Sequence, residues 1–301
     1  MRYFVRDDTL FLRGRFRAAS TGLNGGIADV TTVLNHTVPH DFEENPPRHL
    51  ELLAARHGLF RDYFGLLTAV TMRHLCVLQY DFITVFITAG VTNPTPPPAP
   101  HTINIIVCSR EGMVDAALLE TIVTATGAKA QALHNLGYDF PGTTTDAVAV
   151  ACDRDAEPSH PSEHRPVHTY AGTLTEVGRR VHAAVLYGVP EALARYEGKV
   201  RRNEPSFFIY SRYGGDHWVE WQKEGCPYYP CHFPGQRCDY CYCPCYPCAD
   251  EELGEWVESS NGGRVWGCAR CTLLHVPEIA DYVKRNPEAA LAELKRLRDR
   301  L

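Results

Sequence analysis

Nine of the chain's twelve cysteines lie between Cys226 and Cys271 of 301 residues, and this density limits the fold more than any other feature. Six of the nine form Cys-x-x-Cys pairs: Cys238 with Cys241, Cys245 with Cys248, and Cys268 with Cys271. Such a turn places two sulfurs on one ion at low strain, and zinc wants four soft or borderline ligands in a tetrahedron. Cys226, Cys231 and Cys243 add sulfurs, and His232 and His275 offer nitrogens. These eleven side chains fill two zinc sites and nearly a third. An iron–sulfur cluster is the competing use of four cysteines. Closed four-ligand sites leave no open coordination position, so the expected zinc is structural. Met1 to Arg17 carries charges and no apolar h-region, so the sequence reads as cytoplasmic, where thiols seldom pair as disulfides. So short a stretch with few large aliphatics also needs ions to be stable.

The formal net charge of −6 argues against binding nucleic acid through phosphate attraction, which needs a basic surface. No apolar run reaches the roughly 18 residues that span a bilayer. The longest, Leu75 to Val91, is broken by Gln79, Tyr80 and Asp81. Neither nucleic acid nor a membrane is therefore expected as a partner. A protein partner through the cysteine-rich region and a homo-oligomer both remain open.

Two domains are expected, 1–199 and 206–301, joined by the polar stretch Lys199 to Pro205. In the first, Tyr80 to Ala89 and Thr102 to Ser109 read as buried strands because they are rich in β-branched residues, and Asp146 to Cys152 because it is short and apolar. A stiff proline-rich connection, Thr92 to His101, joins two of them. A helix is expected from about Gly112 to Leu136, with Val114, Leu118, Ile122, Ala125, Leu133 and Leu136 on one face and Gly137 as its stop. Thr173 and Glu176 form a capping-box pattern for a second helix, ending near Gly188-Val-Pro190. Leu291, Leu294, Leu297 and Leu301 mark one face of a C-terminal helix. Interspersed strands and helices give an α+β or α/β class: a mixed sheet covered by helices, plus a small cysteine-rich, metal-stabilised C-terminal domain. Strand direction is not readable at this level.

The segments Gly25-Gly26, Val33-Leu-Asn35, Gly65-Leu-Leu-Thr-Ala69, Thr88-Ala-Gly90-Val-Thr-Asn93, Thr102-Ile-Asn104, Ala125-Thr-Gly-Ala-Lys129, Gly142-Thr-Thr-Thr-Asp146-Ala147 and Tyr170-Ala-Gly172 occur in order. Over about residues 20–195 this pattern resembles the adenosylcobinamide amidohydrolase family. Over about 206–285, Cys226-Pro-Tyr-Tyr-Pro-Cys231-His232, Cys238-Asp-Tyr-Cys241-Tyr-Cys243, Tyr246-Pro-Cys248, Trp266-Gly-Cys268-Ala-Arg-Cys271 and His275 resemble a small cysteine-rich zinc-binding family of archaeal proteins, whose pattern does not require Cys245. Two departures from the first family stand out: Gly127 where Glu is frequent, and Leu174 where His is frequent.

The first resemblance implies a corrinoid substrate and hydrolysis of the amide that joins aminopropanol to the corrin, giving adenosylcobyric acid for cobalamin salvage. A corrinoid carrier with a zinc docking or sensing module is the alternative. Amide hydrolysis needs an activated nucleophile, oxyanion stabilisation and a proton for the leaving amine. Asp146 is the candidate base, with Thr143, Thr144 and Thr145 positioning water or attacking. Asn104 and Asn93 are candidate donors to the carbonyl oxygen. Lys129, His101 and Asn35 are candidate contacts for the substrate.

Overall fold

The computed structural model describes residues 1–91, 102–154, 166–199, 208–212, 219–220, 226, 228–241, 243–258 and 264–301. The chain divides into two compact units, the first running to Glu220 and the second starting at Trp221.

The first unit is built from β1 (Arg2–Arg6), β2 (Thr9–Ser20), β3 (Gly26–Thr37), α1 (Pro46–Arg56), β4 (Tyr63–Thr68), β5 (Cys76–Tyr80), β6 (Ile83–Ala89), β7 (Ile103–Ser109), β8 (Gly112–Met113), α2 (Asp115–Asn135), β9 (Ala147–Asp153), β10 (Val167–His168), α3 (Glu176–Tyr196), β11 (Phe208–Arg212) and β12 (Val219–Glu220). Its main sheet has the order β12-β11-β5-β6-β7-β9-β2-β3-β4, with β1 paired to β2. The β3–β4, β7–β9 and β5–β11 pairs are parallel and the others antiparallel, so the sheet is mixed. Ile83, Val85 and Ile87 of β6, Ile103, Ile105 and Val107 of β7, and Val148 and Val150 of β9 point to one face. There they meet Leu118, Ala125 and Leu133 of α2 and Val181, Val185 and Val189 of α3. The β-branched residues fit a pleated surface covered on both sides, which explains their near-continuous burial.

The alternate residues face inward on a sheet that curls over itself. On a flat sheet β4 would stand four strand spacings of about 4.8 Å from β7. Yet Asn104 on β7 donates from Nδ2 to the Leu67 carbonyl of β4 at 2.8 Å, and Tyr3 of β1 meets the Phe86 ring of β6 at 5.0 Å between centroids. Only a strongly rolled sheet allows both contacts.

Several sequence expectations are corrected. The apolar run Tyr80 to Ala89 is not one strand: the chain reverses at Asp81, whose φ of 54° suits an aspartate, and continues antiparallel as β6. α2 begins at Asp115 because Gly112 and Met113 pair with Val167 and His168. Val114 and Leu136, expected on the buried face, are exposed, whereas Gly137 has the expected positive φ of 88°. Thr175, not Thr173, caps α3, accepting from the Gly178 amide at 3.0 Å. α3 does not stop at Pro190 but runs through it to Tyr196. Gly188 lies close to Leu78 and Ile87: a Cβ there would stand 2.6 and 2.8 Å from their terminal methyls, which would have to shift. Packing of Val185, Val189, Ala192 and Leu193 outweighs the one backbone hydrogen bond that proline removes. Residues 208–212 and 219–220, expected beyond a linker, extend the first unit's sheet because Phe208–Arg212 pairs along all of β5 and Val219–Glu220 pairs with it in turn.

The second unit holds the hairpin β13 (Glu255–Glu258) and β14 (Arg264–Gly267), then α4 (Pro277–Arg285) and α5 (Leu291–Arg298). Its core gathers Leu253, Leu273, Leu274, Ile279, Val283, Ala289 and Leu294. Leu291 and Leu297 pack against that core as expected, but Leu301 is exposed because α5 ends before it. Among the described residues no helix is long and apolar enough to cross a membrane.

A histidine on the α1 side of the sheet gives the first unit a pH dependence. Burial first, then the charges of His49, His57 and Arg56, push His36 down to about 4, against a raising influence of Asp8. The unfolded chain therefore binds more protons as pH falls from about 6.5 toward 4, and stability present above that window is lost through it. Allowing for solvent screening of a partly exposed ring, the loss is about 1 kcal/mol. Thermal melts between pH 7 and pH 4.5 should show a smaller decline for His36→Gln than for the wild type; equal slopes would contradict this reading.

Candidate functional site

One set of polar side chains of the first unit meets at one end of the rolled sheet. The N-terminal ends of β7 and β9 lie side by side there, with Asn104 opposite Ala147. The turn Gly142 to Asp146 leads into β9 and faces the C-terminal half of α2, which supplies Lys129.

Asp146 is the hub. Its Oδ1 accepts from the Thr143 hydroxyl at 2.6 Å and the Ile103 amide at 2.8 Å. Its Oδ2 accepts from the Thr143 amide at 3.0 Å and from Lys129 Nζ, which closes an ion pair. A carboxylate offers about four lone-pair directions, and these four donors occupy them. The Lys129 and Asp146 side chains are only 7% and 8% exposed. Burial of a pair this tight is tolerated because each charge compensates the other. Gly142 makes the approach possible: a Cβ there would stand 2.4 Å from Asp146 Oδ2 and 2.5 Å from Lys129 Nζ.

Beside this cluster lies a second set of polar contacts. Asn104 Nδ2 donates to Asn35 Oδ1 at 2.9 Å and to the Leu67 carbonyl, and its Oδ1 accepts from the Ala147 amide at 3.2 Å. Asn35 Nδ2 donates in turn to the Thr88 hydroxyl at 2.9 Å. Both asparagines are buried, and both Asn104 amide hydrogens are committed to the protein. They tie β3, β4, β6, β7 and β9 together at the site, and Asn104 has no donor left over for a carbonyl oxygen. Thr145 pairs with Thr102 through their hydroxyls at 2.6 Å, while Thr144 stays exposed in the turn. Asn93 and His101 lie outside the described residues.

Lys129, expected mid-helix and directed to substrate, is instead turned inward to Asp146. Sequence reasoning missed Thr102, Thr88 and Gly142 as members of this end. Strand alternation places Thr102 and Asn104 on the same face of β7, a signal that was there to be used.

In the second unit the sulfurs fall into two groups. Cys241 has Cys238, Cys231 and Cys226 as its charged neighbours, and these together with burial raise its thiol. Gln236 links two members of that group: its Nε2 lies 3.1 Å from Cys231 Sγ and 3.5 Å from Cys238 Sγ, while its Oε1 accepts from the His232 and Phe233 amides. The other group holds Cys268 and Cys271 with Cys248, and Cys243 hydrogen-bonded to Cys245. The amides of Cys241 and Cys271 turn back onto the carbonyls of Cys238 and Cys268, the local geometry of a Cys-x-x-Cys ligand pair. His275 bonds the Arg237 carbonyl through Nδ1 at 2.7 Å and packs against His232 at 4.5 Å between centroids. All described cysteines are free thiols. Among the described residues no three His, Cys, Asp or Glu side chains stand at closed metal-ligand geometry, so the grouping rests on each thiol's nearest charged neighbours.

Comparison with known proteins agrees with both units. The family model for adenosylcobinamide amidohydrolase matches residues 6–201, and that for a cysteine-rich small domain matches 217–298. An adenosylcobinamide amidohydrolase of Methanosarcina mazei is 43% identical over 197 residues, covering 64% of this chain and 98% of the relative. One of Halobacterium salinarum is 31% identical over 194 residues, covering 59% of this chain and 80% of the relative. A probable cobalt-factor III C(17)-methyltransferase of Methanothermobacter thermautotrophicus is 45% identical over 64 residues, 21% of this chain and 17% of the relative. No solved structure matches the chain. With its first unit matched almost end to end, the chain belongs to the adenosylcobinamide amidohydrolase family and carries a cysteine-rich small domain behind the hydrolase unit.

Proposed function

We propose that the protein hydrolyses the amide between aminopropanol and the corrin side chain of adenosylcobinamide, releasing adenosylcobyric acid, with Thr143, Asp146 and Lys129 as its reacting groups. The observation that carries this reading, beyond family membership, is the partly buried 2.6 Å bond from the Thr143 hydroxyl to a carboxylate held on its other oxygen by an ammonium. Asp146 has no lone pair to spare for a water, so the proton it can take is the one it already shares with Thr143. Thr143 Oγ1 then attacks the amide carbonyl carbon as its proton passes to Asp146 Oδ1. Lys129 has two N–H donors without a partner among the described residues, and these offset the charge on the carbonyl oxygen. Asp146 returns the proton to the aminopropanol nitrogen as the C–N bond breaks, and water then cleaves the Thr143 ester to a carboxylate. Asn35 and Asn104 hold the strands that position this turn.

For the second unit the donor set fits structural zinc: one ion on Cys226, Cys231, Cys238 and Cys241, a second on Cys248, Cys268, Cys271 and Cys243, with Cys245 a fifth sulfur beside it. Zinc would supply cross-linking of the loops and no chemistry toward the amide. Elemental analysis giving two zinc per chain supports this assignment, and iron with acid-labile sulfide contradicts it.

The test of the hydrolase reading is incubation of the purified protein with adenosylcobinamide and measurement of released aminopropanol. Catalytic release supports it. Binding without release would make the protein a corrinoid carrier instead.

A further inference from the structure

Four half-buried rings border the end of the sheet that carries Asp146, and none of the chemistry above uses them. α2 and α3 both finish at this end. Beyond α2 the chain folds back, with the Tyr138 amide on the Leu133 carbonyl, and sets Tyr138 against Phe140 at 5.2 Å between centroids. Tyr196, the last residue of α3, lies over Gly90: a Cβ on that glycine would stand 3.2 Å from Tyr196 Cζ. His74 approaches Tyr196 edge-on at 6.2 Å. Glu197 and Lys199 are the charged neighbours of Tyr138, which places the two tyrosines at the same helix end. The path from this row of rings to the reacting groups is short. The Gly90 amide donates to the Thr102 carbonyl at 3.2 Å, and the next amide, that of Ile103, donates to Asp146. No hydrogen bond among the described residues holds the Tyr196 hydroxyl, so its surroundings fix the ring face and leave the phenol unused.

We propose that Tyr196, with His74 edge-on to it and Tyr138 at the same end of the sheet, is the shelf for the flat face of the corrin macrocycle, setting a peripheral amide over Thr143. This rests on the hydrolase reading for its ligand. A large conjugated ring offers wide apolar faces and a polar edge of amides, and binds best to aromatic side chains flanking a few fixed polar groups. Adenosylcobinamide lacks the nucleotide base on one axial side, and that open face is the one able to lie on a flat support. Gly90 belongs to the same device: a Cβ there would press on Val70 Cγ2 at 2.8 Å as well as on the Tyr196 ring at 3.2 Å.

The experiment titrates the full-length protein with adenosylcobinamide for Kd, and in parallel measures aminopropanol release at saturating substrate. Tyr196→Ala should raise Kd at least about tenfold, the loss of a stacking contact, and should lower turnover at saturation as well, because the shelf also sets the amide over Thr143. Tyr196→Phe should bind within about twofold of wild type, because the ring and not the hydroxyl is used. Gly90→Ala should weaken binding as Tyr196→Ala does. If the alanine variant fails to fold, Tyr196→Leu, which keeps bulk without a ring, should show the same rise in Kd. Wild-type affinity in Tyr196→Ala or Tyr196→Leu overturns the shelf and leaves the hydrolase reading intact. Ring-dependent binding in a protein that releases no aminopropanol keeps the shelf and overturns the hydrolase.

Discussion

Asp146→Asn should lower aminopropanol release by about 10²–10⁴-fold, the range for removing a positioned acid–base group, and should also destabilise the first unit. The two effects have different origins and can be separated. An amide in place of the carboxylate turns an N–H₂ toward donors that now point at Oδ1 or Oδ2, and it strands the Lys129 charge in a site that is 7% exposed. Removing one partner of a buried ion pair costs about 3–5 kcal/mol, mostly because the other charge is left uncompensated. Lys129→Met alone should be milder for folding, since the Ile103 amide, Thr143 amide and Thr143 hydroxyl still hold the carboxylate. The double variant Asp146→Asn with Lys129→Met removes the stranded charge, so its melting temperature should recover above that of Asp146→Asn. Its activity should not recover. If the double variant regained turnover along with stability, the pair would be a fold-closing contact without a chemical role.

Removal of metal should act on the other unit and with a larger effect on folding. Among the described residues the core cluster of the second unit holds seven buried apolar side chains, Leu253, Leu273, Leu274, Ile279, Val283, Ala289 and Leu294. A core that small rarely supplies more than a few kcal/mol, whereas structural zinc contributes on the order of 10–16 kcal/mol in small peptides at neutral pH. The described thiols make no disulfides to take its place. Chelation should therefore abolish the cooperative melting of the second unit and the near-UV signal of Trp256 and Trp266, whose rings meet at 5.3 Å. The reacting groups Lys129, Thr143 and Asp146 all lie in the first unit, so hydrolysis should persist within about twofold of the untreated rate. A second unit that melts unchanged after complete metal removal would contradict the assignment.

What could be read from the sequence follows the range of the interactions. The cysteine pairs are local, three residues apart, and their spacing carries their geometry. The buried strand β7 announces itself through β-branched composition and β9 through a short apolar run. Lys129 and Asp146 are seventeen residues apart, and their meeting depends on how α2 lies across the start of β9, which no local pattern encodes. The Asn35–Asn104 bond spans sixty-nine residues and exists only because the sheet curls, a property of strand order rather than of any segment. Pro190 misled because local propensity ends a helix there while the packing of Gly188 against β5 and β6 continues it. The α3 cap slipped by two residues because Thr173 has the Glu176 that the capping-box signature asks for, whereas Thr175, followed three residues later by Gly178, caps through its hydroxyl alone.

The central claim is that Thr143 attacks the substrate amide with Asp146 as its base. It is tested most directly by turnover of adenosylcobinamide at saturating concentration in Thr143→Ser and Thr143→Ala, both with confirmed wild-type melting temperatures. Serine keeps a hydroxyl within reach of Asp146 Oδ1 and should retain a measurable fraction of the wild-type rate, whereas alanine should lose at least about a thousandfold. Full turnover in Thr143→Ala would contradict the account.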